Sequence, residues 1–344
     1  MLYTFLRPLL FKIDPEVAHG MTFNAMDRLN KLRLLKNTRV VCQPRTVMGL
    51  NFPNPVGLAA GLDKNAEHLD ALATLGFGFL EAGTVTPRPQ PGNPAPRIFR
   101  IPEAEAVINR MGFNNHGVDQ LIENIKCSDY RGVLGINIGK NFDTPIDKAV
   151  DDYQIGFQKV YRYASYVTVN ISSPNTQNLR QLQDAEALDY LLGQLKNQQD
   201  RLTQEHGKYV PIAVKIAPDL EPAQIESIAS TLMKHRMDGV IATNTTISRS
   251  GVDHLPVAQQ QGGLSGAPLT QRSTKIVYQL HRLLQNAIPI IGVGGIMSAN
   301  DAQDKIEAGA SLIQLYTGLI YHGPGLVKEI AKAVCVQPSQ LRSA

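Results

Sequence analysis

The 344-residue chain has no tryptophan and only three cysteines. Cys42, Cys127 and Cys335 are odd in number, far apart and without a CxxC pair. That usage argues against a zinc site, an iron–sulfur cluster and a disulfide framework. A reducing cytosolic setting with free thiols is expected. Long apolar runs are also missing. Arg7 and Lys12 interrupt the one candidate near the start, so nothing approaches the roughly 20 residues of a spanning helix. No small-residue cleavage site follows an apolar core there, and a secretory signal is not expected. Charge of one sign is scarce: 34 basic and 30 acidic residues leave +4. The hydrophobic fraction of 43% and the length suffice for a large core.

What charge excess exists is concentrated. Residues 1–45 carry eight basic and three acidic side chains, a net +5, and the rest of the chain is −1. The same segment holds Leu2, Phe5, Leu6, Leu9, Leu10, Phe11, Val17, Met21, Phe23 and Met26. Asp14-Pro15 reads as a helix start, with Asp as N-cap and Pro at the first position. Short amphipathic helices are expected, either packed on the main domain or lying in a membrane interface. The chain is therefore divided into an N-terminal helical segment, 1–45, and a main domain, 46–344.

Beyond residue 45, apolar β-branched runs alternate with helical patterns. The runs are NPVGLAAG (54–61), FGFLEAGTV (77–85), VLGINIG (133–139), YVTVNIS (166–172), VPIAVKI (210–216), GVIATNT (239–245), IPIIGVGG (288–295) and LIQLYTG (312–318). They are near-continuously apolar, as parallel strands buried on both faces are. AEHLDALATL (66–75) and DAQDKIEAGA (301–310) are two of the helical connections. Eight strands with helical connections predict a (β/α)8 barrel, an α/β fold of the TIM type; a doubly wound open sheet is the alternative.

The strand ends are polar, and in such barrels the C-terminal strand ends form the active-site face. GVGGI (292–296) leads into a helix, LYTG (315–318) follows, and GGLSG (262–266) is read as a loop after the sixth strand. Glycines at a helix start let backbone N–H groups approach an anion, which predicts a phosphate site. Lys215 emerges from an apolar strand, which is costly without a negative partner. Asp63, Lys64, Asn137, Asn170, Thr243, Asn244 and Thr245 stand at other strand ends. Amide side chains both donate and accept, and suit a flat heterocycle. FMN fits: its phosphate at the seventh and eighth strands, its ring over the mouth, a cation near the pyrimidine end.

The chain also resembles a known family, the class 2 dihydroorotate dehydrogenases. IDPEVAH (13–19), GLAAGLDKN (57–65), GTVTPRPQPGNPAPRIFR (83–100), INRMGFNN (108–115), GINIGKN (135–141), VNISSPNT (169–176), VKIAPDL (214–220), TNTT (243–246), GGLSG, IGVGGI and GPGLVKEI (323–330) carry the likeness across nearly the whole chain. The resemblance implies an enzyme of pyrimidine biosynthesis. It would oxidise dihydroorotate to orotate on bound FMN and reduce a membrane quinone. It implies FMN contacts from Ala60, Gly61, Leu62, Asp63, Lys64, Thr84, Asn137, Asn170, Lys215 and Thr243, with the phosphate near Gly266, Gly295, Tyr316 and Thr317. Substrate contacts would come from Lys64, Asn109, Arg110, Met111, Gly112, Phe113, Asn170, Asn175, Asn244 and Thr245. Ser173 would be the general base at substrate C5, where class 1 relatives carry cysteine. His19, Arg100 and Tyr316 would lie near the quinone path. The polar segment PNTQNLRQLQ (174–183) would be a mobile lid. The N-terminal helices would then rest on the membrane, which makes the protein peripheral, on the cytoplasmic face of the cell membrane; the resemblance also implies a monomer.

Three other classes compete. A flavin barrel acting on RNA would want a broad basic surface, yet the main domain is −1, and no nucleic-acid partner is expected. A phosphate-substrate isomerase on the same barrel leaves the many asparagines without a task. A pure binding module leaves the strand-end lysines and Ser173 without one.

Overall fold

Short runs of small and β-branched apolar residues close into a barrel because both faces of each strand can be buried. The structure is a computed structural model and describes residues 2–38 and 40–335; Arg39, counted above among the basic residues, lies outside them. Two helices come first, α1 (Leu2–Leu10) and α2 (Pro15–Lys31). The carboxylate of Asp14 accepts from the N–H groups of Glu16 and Val17 at 2.9 and 3.1 Å, so α2 starts where Asp-Pro placed it. A hairpin follows, β1 (Arg45–Val47) and β2 (Leu50–Phe52).

The barrel strands are β3 (Val56–Leu58), β4 (Phe79–Val85), β7 (Val133–Ile138), β8 (Tyr166–Asn170), β9 (Ile212–Ile216), β10 (Gly239–Ala242), β12 (Ile290–Val293) and β13 (Leu312–Leu315). They close in the order β3-β4-β7-β8-β9-β10-β12-β13, and β13 returns to β3. All eight expected strands are present, and all their pairings are parallel. Around them run α3 (Leu69–Ala73), α4 (Val118–Cys127), α5 (Ala149–Val160), α6 (Ala185–His206), α7 (Pro222–Lys234), α8 (Thr270–Leu284), α9 (Ala299–Glu307), α10 (Thr317–His322) and α11 (Gly325–Val334). The helix expected over 66–75 is only α3. Asp63 instead holds the N–H groups of Glu67 and His68 in a turn.

A three-stranded antiparallel sheet, β5 (Ile98–Ile101), β6 (Ala106–Asn109) and β11 (Gly263–Gly266), was not anticipated. GGLSG is thus a strand and not a loop. Its pairing partner lies some 150 residues away in the chain, beyond the reach of any local pattern.

Cys42 and Cys335 form a disulfide, and Cys127 is free and exposed. The expectation of three free thiols is therefore corrected. Barrel closure is the cause. With β13 paired to β3, the segments flanking the first and last strands meet, and Arg45 donates there to the carbonyls of Ser311 and Val334 at 3.1 and 2.8 Å.

The barrel interior is apolar at the hairpin end, where Phe52, Phe79, Tyr166, Ile241, Ile291 and Leu312 pack together. Above them sits Glu81, 1% exposed. It accepts from Asn137 Nδ2 at 2.8 Å, Tyr166 OH at 2.8 Å and Gln314 Nε2 at 2.6 Å, so four strands meet at one carboxyl group. Glu81→Ala removes three hydrogen bonds and the negative charge nearest Lys215. It is expected to cost about 3–5 kcal/mol, read as a lower midpoint in urea denaturation.

Candidate active site

The C-terminal strand ends and their loops line one polar cavity. At one side β12 runs into the Gly294–Gly295 turn. The N–H groups of Gly294, Gly295 and Ile296 donate to no protein acceptor among the described residues. Gly295 has φ +69°, and a Cβ there would lie 2.3 Å from the backbone of Thr270, so only glycine fits. Unpaired amides in a tight turn are an anion cradle. Gly266, Thr317 and Gly318 line the same cavity.

Two lysines also line it, Lys64 from the loop after β3 and Lys215 from β9, and neither has an acceptor or ion-pair partner among the described residues. Burial lowers the pKa of Lys215, and the charge of Glu81 raises it back in part. The Lys64 pKa falls to about 8, chiefly by burial, with Glu16 and Asp63 opposing and Arg97 assisting. Buried ammonium groups without partners are costly unless an anion arrives. Gln314 adds an orphan acceptor: its Oε1 is buried and unbonded.

The asparagines form a directed chain. Asn170 Nδ2 donates to Thr84 Oγ1 at 2.9 Å, Thr84 donates to Asn137 Oδ1 at 2.6 Å, and Asn137 donates to Glu81. This fixes each amide orientation from the barrel centre outward. Asn244 Nδ2 reaches Ser172 Oγ at 3.0 Å. Ser173 is buried, and its Oγ accepts from the Asn175 N–H at 3.2 Å. No histidine or carboxylate bonds to it among the described residues. Arg180 pins this loop, donating to the carbonyls of Ser172 and Thr245 at 3.0 and 2.9 Å and to Asp219 at 2.9 Å.

Of the residues named from sequence, Ala60, Gly61, Lys64, Thr84, Asn109, Met111, Gly112, Phe113, Asn170, Ser173, Asn175, Lys215, Thr243, Asn244, Thr245, Gly266, Gly295, Tyr316 and Thr317 line this cavity. Four do not. Leu62 faces a second cavity, and Asp63 caps its turn. Asn137 stands behind Thr84. The Arg110 guanidinium turns away to the Gln260 amide oxygen and the Pro96 carbonyl, 4.8 Å over the Phe99 ring. Gln314, Ser265 and Arg180 were missed. Gln314 had a signal, since a lone amide inside LIQLY is as conspicuous as the lysine inside IAVKI.

The second cavity, about 490 Å³, is almost wholly apolar and lies between α1, α2 and the barrel. His19, Arg100 and Tyr316 line it, and Asn109, Met111 and Tyr316 line both cavities. Burial and the neighbouring charge of Lys64 lower the His19 pKa to about 4, so the ring is neutral at pH 7. Arg100 donates to the carbonyls of Leu10 and Ile13 at 3.2 and 2.9 Å and covers the Phe11 ring at 4.7 Å.

An α/β barrel with an anion cradle and unpaired cations at one mouth, and an apolar chamber behind a shared wall, is an enzyme built for two unlike ligands. The family model described as dihydroorotate dehydrogenase matches residues 43–336. Dihydroorotate dehydrogenase (quinone) of Nitrosospira multiformis is 66% identical over 335 residues, 97% of this chain and 96% of that protein. The enzyme of the same name from Janthinobacterium is 61% identical over 97% of this chain and 98% of its own. The crystal structure of the Eimeria tenella enzyme in complex with ferulenol superposes with a TM-score of 0.86 at 37% identity, covering 93% of this chain and 90% of that one. The chain belongs to the dihydroorotate dehydrogenase family, in its quinone-dependent class 2.

The cavity chemistry sets a pH dependence. Lys64 is charged below its pKa of about 8 and neutral above it. A carboxylate ligand is therefore expected to bind most tightly below pH 8 and to weaken towards tenfold per pH unit above it. Isothermal titration with orotate from pH 6 to 10 reads this, and Lys64→Met is expected to give a weak, flat profile.

Proposed function

We propose that the protein oxidises (S)-dihydroorotate to orotate, with FMN as bound hydride acceptor and a membrane quinone as final acceptor, in pyrimidine synthesis. One observation carries the reading: the polar cavity with its unpaired cations and the apolar cavity share Asn109, Met111 and Tyr316 as a wall. A water-soluble carboxylate and a lipid-soluble acceptor can each reach one side of that wall.

The donor set fits FMN. The amides of Gly294, Gly295 and Ile296 suit a phosphate, and Lys215 with Gln314 Oε1 suits a heterocycle edged with C=O and N–H groups. FMN supplies, when bound, the site that takes the C6 hydride. The protein's task is the other hydrogen. Ser173 removes the C5 proton and passes its own hydroxyl proton to water at the cavity mouth, and so to bulk solvent. The Asn175 N–H fixes its oxygen, and Arg180 fixes the loop beneath it. Lys64 holds the substrate carboxylate, while Asn170 and Asn244 hold the ring edge.

The test is an anaerobic absorbance spectrum of the purified protein. A flavin band that bleaches with dihydroorotate and recovers with a soluble quinone supports substrate and both acceptors. Protein that reconstitutes with FMN but does not bleach keeps the fold family and rejects the substrate. In the same assay Ser173→Ala is expected to slow bleaching by about 10²–10⁴ while orotate affinity stays within a few-fold.

Residues 1–45 are proposed to lie on the membrane surface. Phe5 and Leu9 are 77% and 62% exposed, and Val17 and Met21 are each 53% exposed, beside a net positive segment. No helix among the described residues is long and apolar enough to cross a membrane; the attachment is proposed as peripheral, at the cytoplasmic face, by a monomer. In vesicle flotation with anionic phospholipid, the protein is expected to float, and the triple variant Phe5→Asp, Leu9→Asp, Met21→Asp to stay at the bottom with its flavin retained. Equal flotation of both rejects the membrane role.

A further inference from the structure

A buried lysine stands behind the anion turn without a task in the reaction above. Lys305, on α9, is 0% exposed. Its stem passes close to β12, where a Cβ on Gly292 would meet Lys305 Cδ at 3.4 Å. Its Nζ reaches Ser273 Oγ at 2.6 Å, Thr274 Oγ1 at 2.5 Å and the Thr270 carbonyl at 3.2 Å, all at the start of α8. It forms no ion pair among the described residues.

An ammonium only donates, so Ser273 must accept with its oxygen and turn its own proton elsewhere. Three carbonyls lie within reach of that one proton, Gly294 at 2.8 Å, Leu269 at 2.9 Å and Thr270 at 3.1 Å, and Gly294 is the nearest. The Gly294 C=O and the Gly295 N–H belong to one peptide unit. A charge-assisted chain ending on that carbonyl polarises the unit and makes the Gly295 N–H a stronger donor. Thr270 Oγ1 donates to the Gly295 carbonyl at 2.6 Å, which acts likewise on the Ile296 N–H. The cations that line the cavity, Lys64 and Lys215, come from the loop after β3 and from β9, not from the turn.

We propose that Lys305 is a positioning residue for the FMN phosphate: its ammonium, acting through Ser273 on the Gly294–Gly295 peptide, is the counter-charge of an anion seated on the turn. The inference deepens the flavin reading and rests on it. Burial lowers the Lys305 pKa to about 7, with Asp301 and Asp304 of its own helix opposing. The other elements packed on α9 bring no further charge inward. Arg272 and Lys275 of α8 and Lys328, Glu329 and Lys332 of α11 are exposed. His281 lies against Gly309, past the far end of α9. A phosphate on the turn favours charged Lys305, so binding above pH 7 draws one proton from solvent.

The experiment measures FMN and riboflavin dissociation constants for the full-length protein by flavin fluorescence, from pH 6.5 to 9. Riboflavin has the ring and lacks the phosphate. Lys305→Met is expected to weaken FMN by about tenfold or more at pH 7 and to leave riboflavin unchanged. Lys305→Arg, which keeps the charge, is expected to restore most of the FMN affinity. The wild-type ratio of FMN to riboflavin affinity is expected to fall across this range, since Lys64 titrates under both flavins and the phosphate itself is already largely dianionic, and the ratio of the Met variant to be flat. Equal loss of both flavins in Lys305→Met, or a wild-type FMN-to-riboflavin ratio flat in pH, overturns the proposal and leaves Lys305 as packing. The wild-type ratio needs no variant, so it decides even where Lys305→Met fails to fold. Wild-type protein that binds neither flavin overturns the flavin reading and this proposal with it.

Discussion

Glu81 is the point on which the site depends. A carboxyl group with 1% exposure inside a barrel is tolerated because three donors from three other strands satisfy it. Among the described residues, the same group is the only side-chain charge that raises the pKa of Lys215 against its burial. From Glu81 the hydrogen-bond chain runs outward through Asn137 and Thr84 to Asn170. Each amide orientation at the mouth is thus set by one acceptor at the centre. The site is a rigid continuation of the barrel interior, in the way that buried, fully satisfied networks enforce.

The rest of the mouth divides by charge. Backbone amides and an indirect cation serve the turn after β12, and direct lysines come from β9 and from the loop after β3, each two strands away around the barrel. This separation suits a ligand with a phosphate at one end and a polar ring at the other. The apolar cavity beside it exists because α1 and α2 do not pack flush on the barrel. Their inward residues, Leu10, Ala18 and Phe23, enclose space together with Leu62 and Leu72. Arg97 ties α2 down by pairing with Glu16 at 2.6 Å, which keeps the cavity next to the polar one.

The loop after β8 joins chemistry to scaffold. Among the described residues Ser173 has no acidic or basic partner of its own, so its orientation comes from backbone and from Arg180. That guanidinium gathers Ser172, Thr245 and Asp219, from the loops after three successive strands. A planar fork with several fixed donors does this better than a flexible ammonium could.

Much of this was legible in the sequence. All eight barrel strands announced themselves, because strands buried on both faces must be continuously apolar. The glycine turn, the strand-end lysines and the asparagines marked the mouth, because polar groups that end apolar strands need a reason. The Asp14-Pro15 start of α2 was legible because capping is local. What the sequence could not supply was long-range. The pairing of β6 with β11 made GGLSG a strand. The return of β13 to β3 brought Cys42 to Cys335. Arg110 looked like a neighbour of Asn109 and Met111, yet it points away, since alternate residues of an extended segment face opposite sides. Asp63 sat in a binding motif and instead caps a turn. Composition and period determine which segments become strands and which ends are polar. Only the closed barrel decides which of those ends share a cavity, because side-chain direction and distant pairing are fixed by packing and not by spacing along the chain.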